Sequence, residues 1–127
     1  MKDGKQVPLR KYVYQPLDTW LARLFSRAGL EESLITQPRL PPGGIETDIW
    51  DAEAFRTFIG PDGKSYWDAP AHEYHLAFSL FINWFNPYGS RTSSRSASVG
   101  AIYMVCLNLP PMIRYHLENV YLAGIIP

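Results

Sequence analysis

Apolar residues recur at two periods along this chain, near 3.6 in its first part and near two, or unbroken, in its last. Leu17, Trp20, Leu21, Leu24 and Phe25 stand at i, i+3, i+4, i+7 and i+8, the stripe of a helix buried on one side. Pro16 suits the opening of that helix, while Asp18 near its start and Arg23 and Arg27 near its end complement the helix dipole. Gly29 stops it, and residues 30–35 predict one further turn. Before it, residues 1–15 are polar and basic and then aromatic (Tyr12, Tyr14), which predicts an arm or one edge strand. Residues 36–46 hold three Pro and two Gly in eleven, the composition of a linker. Asp48 has the side chain of an N-cap for a short helix over residues 49–58, with Asp51 and Glu53 in its first turn. Gly60-Pro61-Asp62-Gly63-Lys64 is a turn, because Pro presets φ and Asp-Gly accepts a positive one.

From residue 74 the period changes. Tyr74, Leu76, Phe78, Leu80, Ile82 and Trp84 alternate with His75, Ala77, Ser79, Phe81 and Asn83, which predicts a strand with one fully buried face and one mixed face carrying Asn83. Residues 99–109 are apolar on both faces, as in a strand covered on two sides, and Pro110-Pro111 is expected to end it. A polar crossing over residues 112–119 leads to a third apolar strand, Val120–Ile126. A domain seldom ends within a residue of such a strand, so the chain is expected to be a piece of a longer reading frame, lacking the elements that would cover its sheet. No internal repeat is present.

With 127 residues there is room for a modest core, and 46% hydrophobic residues with four Trp, eight Tyr and six Phe exclude a disordered composition. Lys plus Arg and Asp plus Glu number twelve each, so the charge excess usual for a free-standing DNA-binding domain is absent. The single cysteine, Cys106, excludes an intramolecular disulfide and a Cys-rich zinc site, and its apolar neighbours predict a buried, inert thiol. The first residues lack the apolar run of a secretory signal, and no run approaches the roughly 18 residues of a membrane span. These features predict an intracellular protein with no membrane partner and no small-molecule substrate.

Several ordered motifs carry a resemblance. They are Leu24-Phe25-Ser26-Arg27-Ala28-Gly29-Leu30-Glu31, Asp48-Ile49-Trp50-Asp51, Gly60-Pro61-Asp62-Gly63-Lys64, Asn83-Trp84-Phe85-Asn86-Pro87-Tyr88-Gly89, Ser98-Val99-Gly100-Ala101-Ile102-Tyr103, Cys106-Leu107-Asn108-Leu109-Pro110-Pro111-Met112-Ile113-Arg114-Tyr115 and Glu118-Asn119-Val120. In this order and spacing the chain resembles the CACTA-type (En/Spm-like) DNA transposases of basidiomycete fungi, over almost its whole length. Full-length members look like multi-domain proteins, with a zinc-binding region upstream and the rest of a nuclease domain downstream. The resemblance implies the start of an RNase H-like DDE nuclease, in which convergent carboxylates hold two Mg²⁺ or Mn²⁺ ions for in-line attack on phosphate. In that family the strand before Phe-Asn-Pro-Phe/Tyr-Gly ends in an Asp thought to be the first catalytic carboxylate. Here the position holds Asn83, a degenerate catalytic position on this reading and otherwise an ordinary Asn before a turn.

Other candidates are weaker. Glu46, Asp48, Asp51 and Glu53 suit helix-start acids better than a metal site. Of the histidines (His72, His75, His116), only His72 and His75, at i and i+3, have a close metal-ligand spacing; they would share a face on a helix but point apart on the expected strand. Arg91 and Arg95, among six Ser or Thr in residues 90–98, are candidate DNA contacts or a solvated loop.

The expected fold is α+β: N-terminal helices followed by a three-stranded antiparallel sheet, part of an RNase H-like fold. Residues 1–46 would form the arm, helix and linker, and residues 47–127 the short helix and first three strands. The expected function is that of a truncated, inactive transposase remnant, with no intact catalytic residue, no metal site and no cofactor of its own. Its partners would be transposon DNA or a full-length transposase, in the nucleus if it still acts as a transposase relative. The alternative is a non-enzymatic interaction module that works through an open sheet edge. A nuclease active only as part of an intact neighbour would need an Asp to replace Asn83, and the same strand offers none.

Overall fold

The computed structural model describes residues 14–87 and 98–126. Pro16, with ψ of 135°, hands the chain to helix α1, Leu17–Phe25. Trp20 and Leu24 are buried on its inner side, and its first closing bond runs from Trp20 N–H to Pro16 O at 3.1 Å. Gly29, at φ 76°, turns the chain back, and the further turn expected after it is a 3-10 turn, Glu31–Ser33. Trp20, Leu24 and Leu30 then close a core with Cys106, Leu109 and Tyr121, in which the Trp20 and Tyr121 rings lie 5.3 Å apart.

The sheet has the order β1-β2-β3, every neighbour antiparallel: β1 Phe78–Phe85, β2 Val99–Cys106 and β3 Val120–Ile126. β1 and β2 pair without a break from Phe78↔Cys106 to Phe85↔Val99. β2 and β3 change register between Ile102 and Tyr103, which accommodates an extra residue on β3. With α1, α2 (Glu53–Arg56) and α3 (Pro111–Arg114), the described residues form an α+β fold. No helix among them is long and apolar enough to cross a membrane.

Four expectations need correction. The helix expected over residues 49–58 is broken: a 3-10 turn, Ile49–Asp51, gives way at Ala52 (ψ 142°) before α2 begins. In one straight helix Trp50 and Phe55, five residues apart, would face different sides. The extended Ala52 lets both rings meet, 5.2 Å apart, in a cluster with Trp67. The first strand starts at Phe78 rather than Tyr74, because the Asn108 side chain takes the Ala77 N–H at 2.8 Å where a ladder would continue.

The second strand ends at Cys106, ahead of the prolines, in a turn closed by Leu109 N–H on Cys106 O at 3.3 Å. The fourth correction concerns burial on β1. Its even positions do not form a buried face: Leu80 is 62% and Trp84 55% exposed, and Ile82 is exposed as well. α1 has nine residues, about 14 Å of helix, and the cluster it joins reaches β1 only at Phe78. The far part of an eight-residue strand, about 27 Å long, is left bare.

The turn 60–64 is as expected. Gly63 sits at φ 78°, Gly60 N–H reaches Lys64 O at 2.8 Å, and Ile59 and Ser65 bridge across its base.

Candidate functional site

Asn83 is the sixth residue of β1, and the pleat sets it on the face shared with Phe81 and Phe85. Directly across from it on β2 is Ala101, and across from Ala101 on β3 is Ile125. The row through the middle of the sheet is therefore one exposed amide and two hydrocarbon side chains. A two-cation site needs convergent carboxylates. The residues around Asn83 do not fit such a group. Among the described residues, no set of three or more His, Cys, Asp or Glu is placed to hold a metal ion.

The acidic quartet is divided. Asp48 accepts a two-pronged contact from Arg114, Nη1 to Oδ1 at 2.7 Å and Nη2 to Oδ2 at 3.0 Å, and takes the Ile49 N–H at 2.8 Å. Burial pushes its carboxyl up, but the Arg114 hydrogen bonds, the Ile49 N–H and the charges of Arg114 and Arg39 bring it below the usual range. Asp51 is completely buried. It accepts from Thr47 N–H and hydroxyl, both at 2.9 Å, from Asp48 N–H at 3.0 Å and from Arg39 Nε at 2.8 Å. Those donors, Thr47 first, hold its carboxyl well below the carboxylate range. Asp48 and Asp51 thus form a capping box, the role expected of helix-start acids. Glu46 and Glu53 remain exposed at the surface.

The histidines are not on a strand. His72 takes φ 70° in a turn closed by Glu73 N–H on Pro70 O, and the His75 ring meets Tyr66 O through Nδ1. Arg91 and Arg95 lie outside the described residues. Cys106 is fully buried, as expected, and burial raises its thiol pKa.

Two features go beyond the candidate site residues named from the sequence. The first is Asn108, completely buried within an apolar run. Its Oδ1 accepts from Ala77 N–H, its Nδ2 donates to Ile35 O at 2.9 Å and His75 O at 3.2 Å, and its own carbonyl accepts from Ile35 N–H at 2.7 Å. A polar residue between Leu107 and Leu109 was the available signal. The second is the outer half of β1, where Leu80, Phe81, Ile82, Trp84 and Phe85 are all exposed, from both faces. β1 is also an edge: β2 lies on one side and no described strand on the other.

In comparisons with family models, curated proteins and solved structures, nothing matches this chain.

Proposed function

We propose that this chain is the opening part of an RNase H-like transposase domain of the CACTA type, and a remnant without nuclease chemistry of its own. The observation that carries the reading is the placement of Asn83 on the first of three consecutive antiparallel strands, where the resemblance has its leading carboxylate. A carboxylate brings charge and two oxygens and can bridge two cations. An amide is neutral and offers one oxygen, and here its row neighbours are Ala101 and Ile125. Even in a complete domain the exchange would reduce the rate on the order of 10²-fold or more. The test is incubation of the full chain with duplex DNA and Mg²⁺ or Mn²⁺. No divalent-ion-dependent cleavage is expected, and robust cutting that disappears in Asn83→Ala overturns the proposal. Translation of the flanking genomic DNA checks the ancestry: an in-frame continuation with further acidic motifs is expected.

A second reading, a non-enzymatic module acting through its sheet edge, is favoured by the exposed apolar side chains of β1.

A further inference from the structure

β1 reads the same, chemically, in both directions. Centred on Phe81, the order is aromatic Phe78, polar Ser79, aliphatic Leu80, aromatic Phe81, aliphatic Ile82, polar Asn83, aromatic Trp84. From the juxtaposition of this palindrome with a strand edge that no described strand covers, we propose that β1 pairs antiparallel with β1 of a second copy of this chain, about a two-fold axis at Phe81, to give one continuous six-stranded sheet. The proposal rests on the reading of β1 as an interaction edge and names its occupant.

A two-fold axis perpendicular to the sheet keeps each face on its own side, so residues of equal parity must meet. Centring on Phe81 sets Phe81 against its own copy, Ser79 against Asn83, Leu80 against Ile82 and Phe78 against Trp84. Polar meets polar and apolar meets apolar in every pair. Moving the centre by one residue to Ile82 would set Phe81 against Asn83 and Ser79 against Phe85. Moving it to Leu80 would set Ser79 against Phe81 and Ala77 against Asn83. Of these three registers, which overlap most of β1, the one centred on Phe81 matches and the other two do not, and cross-strand matching of this kind is what stabilises a ladder. Phe81 already stacks on Tyr103 of β2 at 5.1 Å, so its copy would extend an aromatic row across the joint.

Charge permits the encounter. No residue from Phe78 to Phe85 is ionisable, and the edge has no Lys or Pro of the kind that blocks edge-to-edge pairing. Twelve basic and twelve acidic residues leave no net repulsion between copies.

The experiment uses the full 127-residue chain in sedimentation equilibrium over a concentration series, with variants at position 81. A monomer–dimer equilibrium with no larger species is expected. Phe81→Lys and Phe81→Glu should each weaken it by roughly tenfold or more, since like charges would meet at the axis, and an equimolar mixture should restore it. Phe81 is 44% exposed, so both variants should keep the far-ultraviolet dichroism of the parent chain. As a second measurement, Phe81→Cys should form a disulfide-linked dimer on mild oxidation, because the buried Cys106 does not compete. A monomer at all concentrations, open-ended aggregates, or no recovery on mixing overturns the proposal. Titration with an unrelated valine- and threonine-rich strand peptide separates the two failures. A monomeric chain that binds it overturns self-pairing and spares the edge reading, whereas one that does not bind overturns both.

Discussion

Among the described residues, Asp51 and Arg114 are the charged side chains most fully withdrawn from water, and each is surrounded by partners of the right kind. Arg114 uses Nη1 and Nη2 on Asp48, Nη2 also on Leu107 O and Nε on Leu109 O. Lysine could not reproduce that planar set of contacts. Asp51 has four donors and a lowered pKa, with a definite consequence for acid stability. Its folded pKa lies below the unfolded value of about 3.9, so its contribution is fully present at neutral pH. It is lost as pH falls below about 4, where the unfolded chain begins to bind the proton first. Urea unfolding at a series of pH values should show the midpoint falling over that acid range. Asp51→Asn should have a lower midpoint at neutral pH and a flatter acid limb, since an uncharged amide has one accepting oxygen and its nitrogen must face either Arg39 Nε or the Thr47 and Asp48 donors. Parallel acid limbs for the two chains would refute the assignment.

At the scale of elements, local features were well written in the sequence and distant ones were not. The stripe from Leu17 to Phe25 and the apolar run Val120–Ile126 give α1 and β3 their limits, because each is decided by its own residues. The alternation before Asn83 placed that residue on a strand, but alternation only names the two faces. Whether anything covers Leu80, Ile82 and Trp84 depends on the reach of α1, which their spacing does not encode. The break at Ala52 was hidden for a similar reason: Trp50 is directed by a hydrogen bond from its Nε1 to Leu107 O, 57 residues along the chain. Asn108 and Arg114 likewise take their meaning from remote carbonyls. The turn at residues 60–64 is the opposite case. There Gly63 holds φ 78° in open space, so Gly63→Ala should cost about 1 kcal/mol through backbone strain alone, as measured by thermal unfolding.

Across the whole molecule, segments far apart in sequence converge on the turn after β2. Leu107 O accepts from Trp50 Nε1 at 2.7 Å and Arg114 Nη2 at 2.8 Å, Asn108 O from Ile35 N–H, and Leu109 O from Arg114 Nε. Three consecutive carbonyls are thus satisfied by donors from three separate stretches of chain, and the Asn108 side chain ties in a fourth at Ala77. Removing that side chain leaves the Ala77 N–H and the Ile35 and His75 carbonyls short of a partner, at about 1–3 kcal/mol for each one left unsatisfied. A junction that needs so many distant arrivals should assemble after the barrier has been crossed, once loop-closure entropy has been met elsewhere. Asn108→Ala should then accelerate denaturation in stopped-flow experiments while leaving the refolding limb of the chevron nearly in place. The latch would govern how long a molecule survives once formed, with little bearing on how quickly it forms.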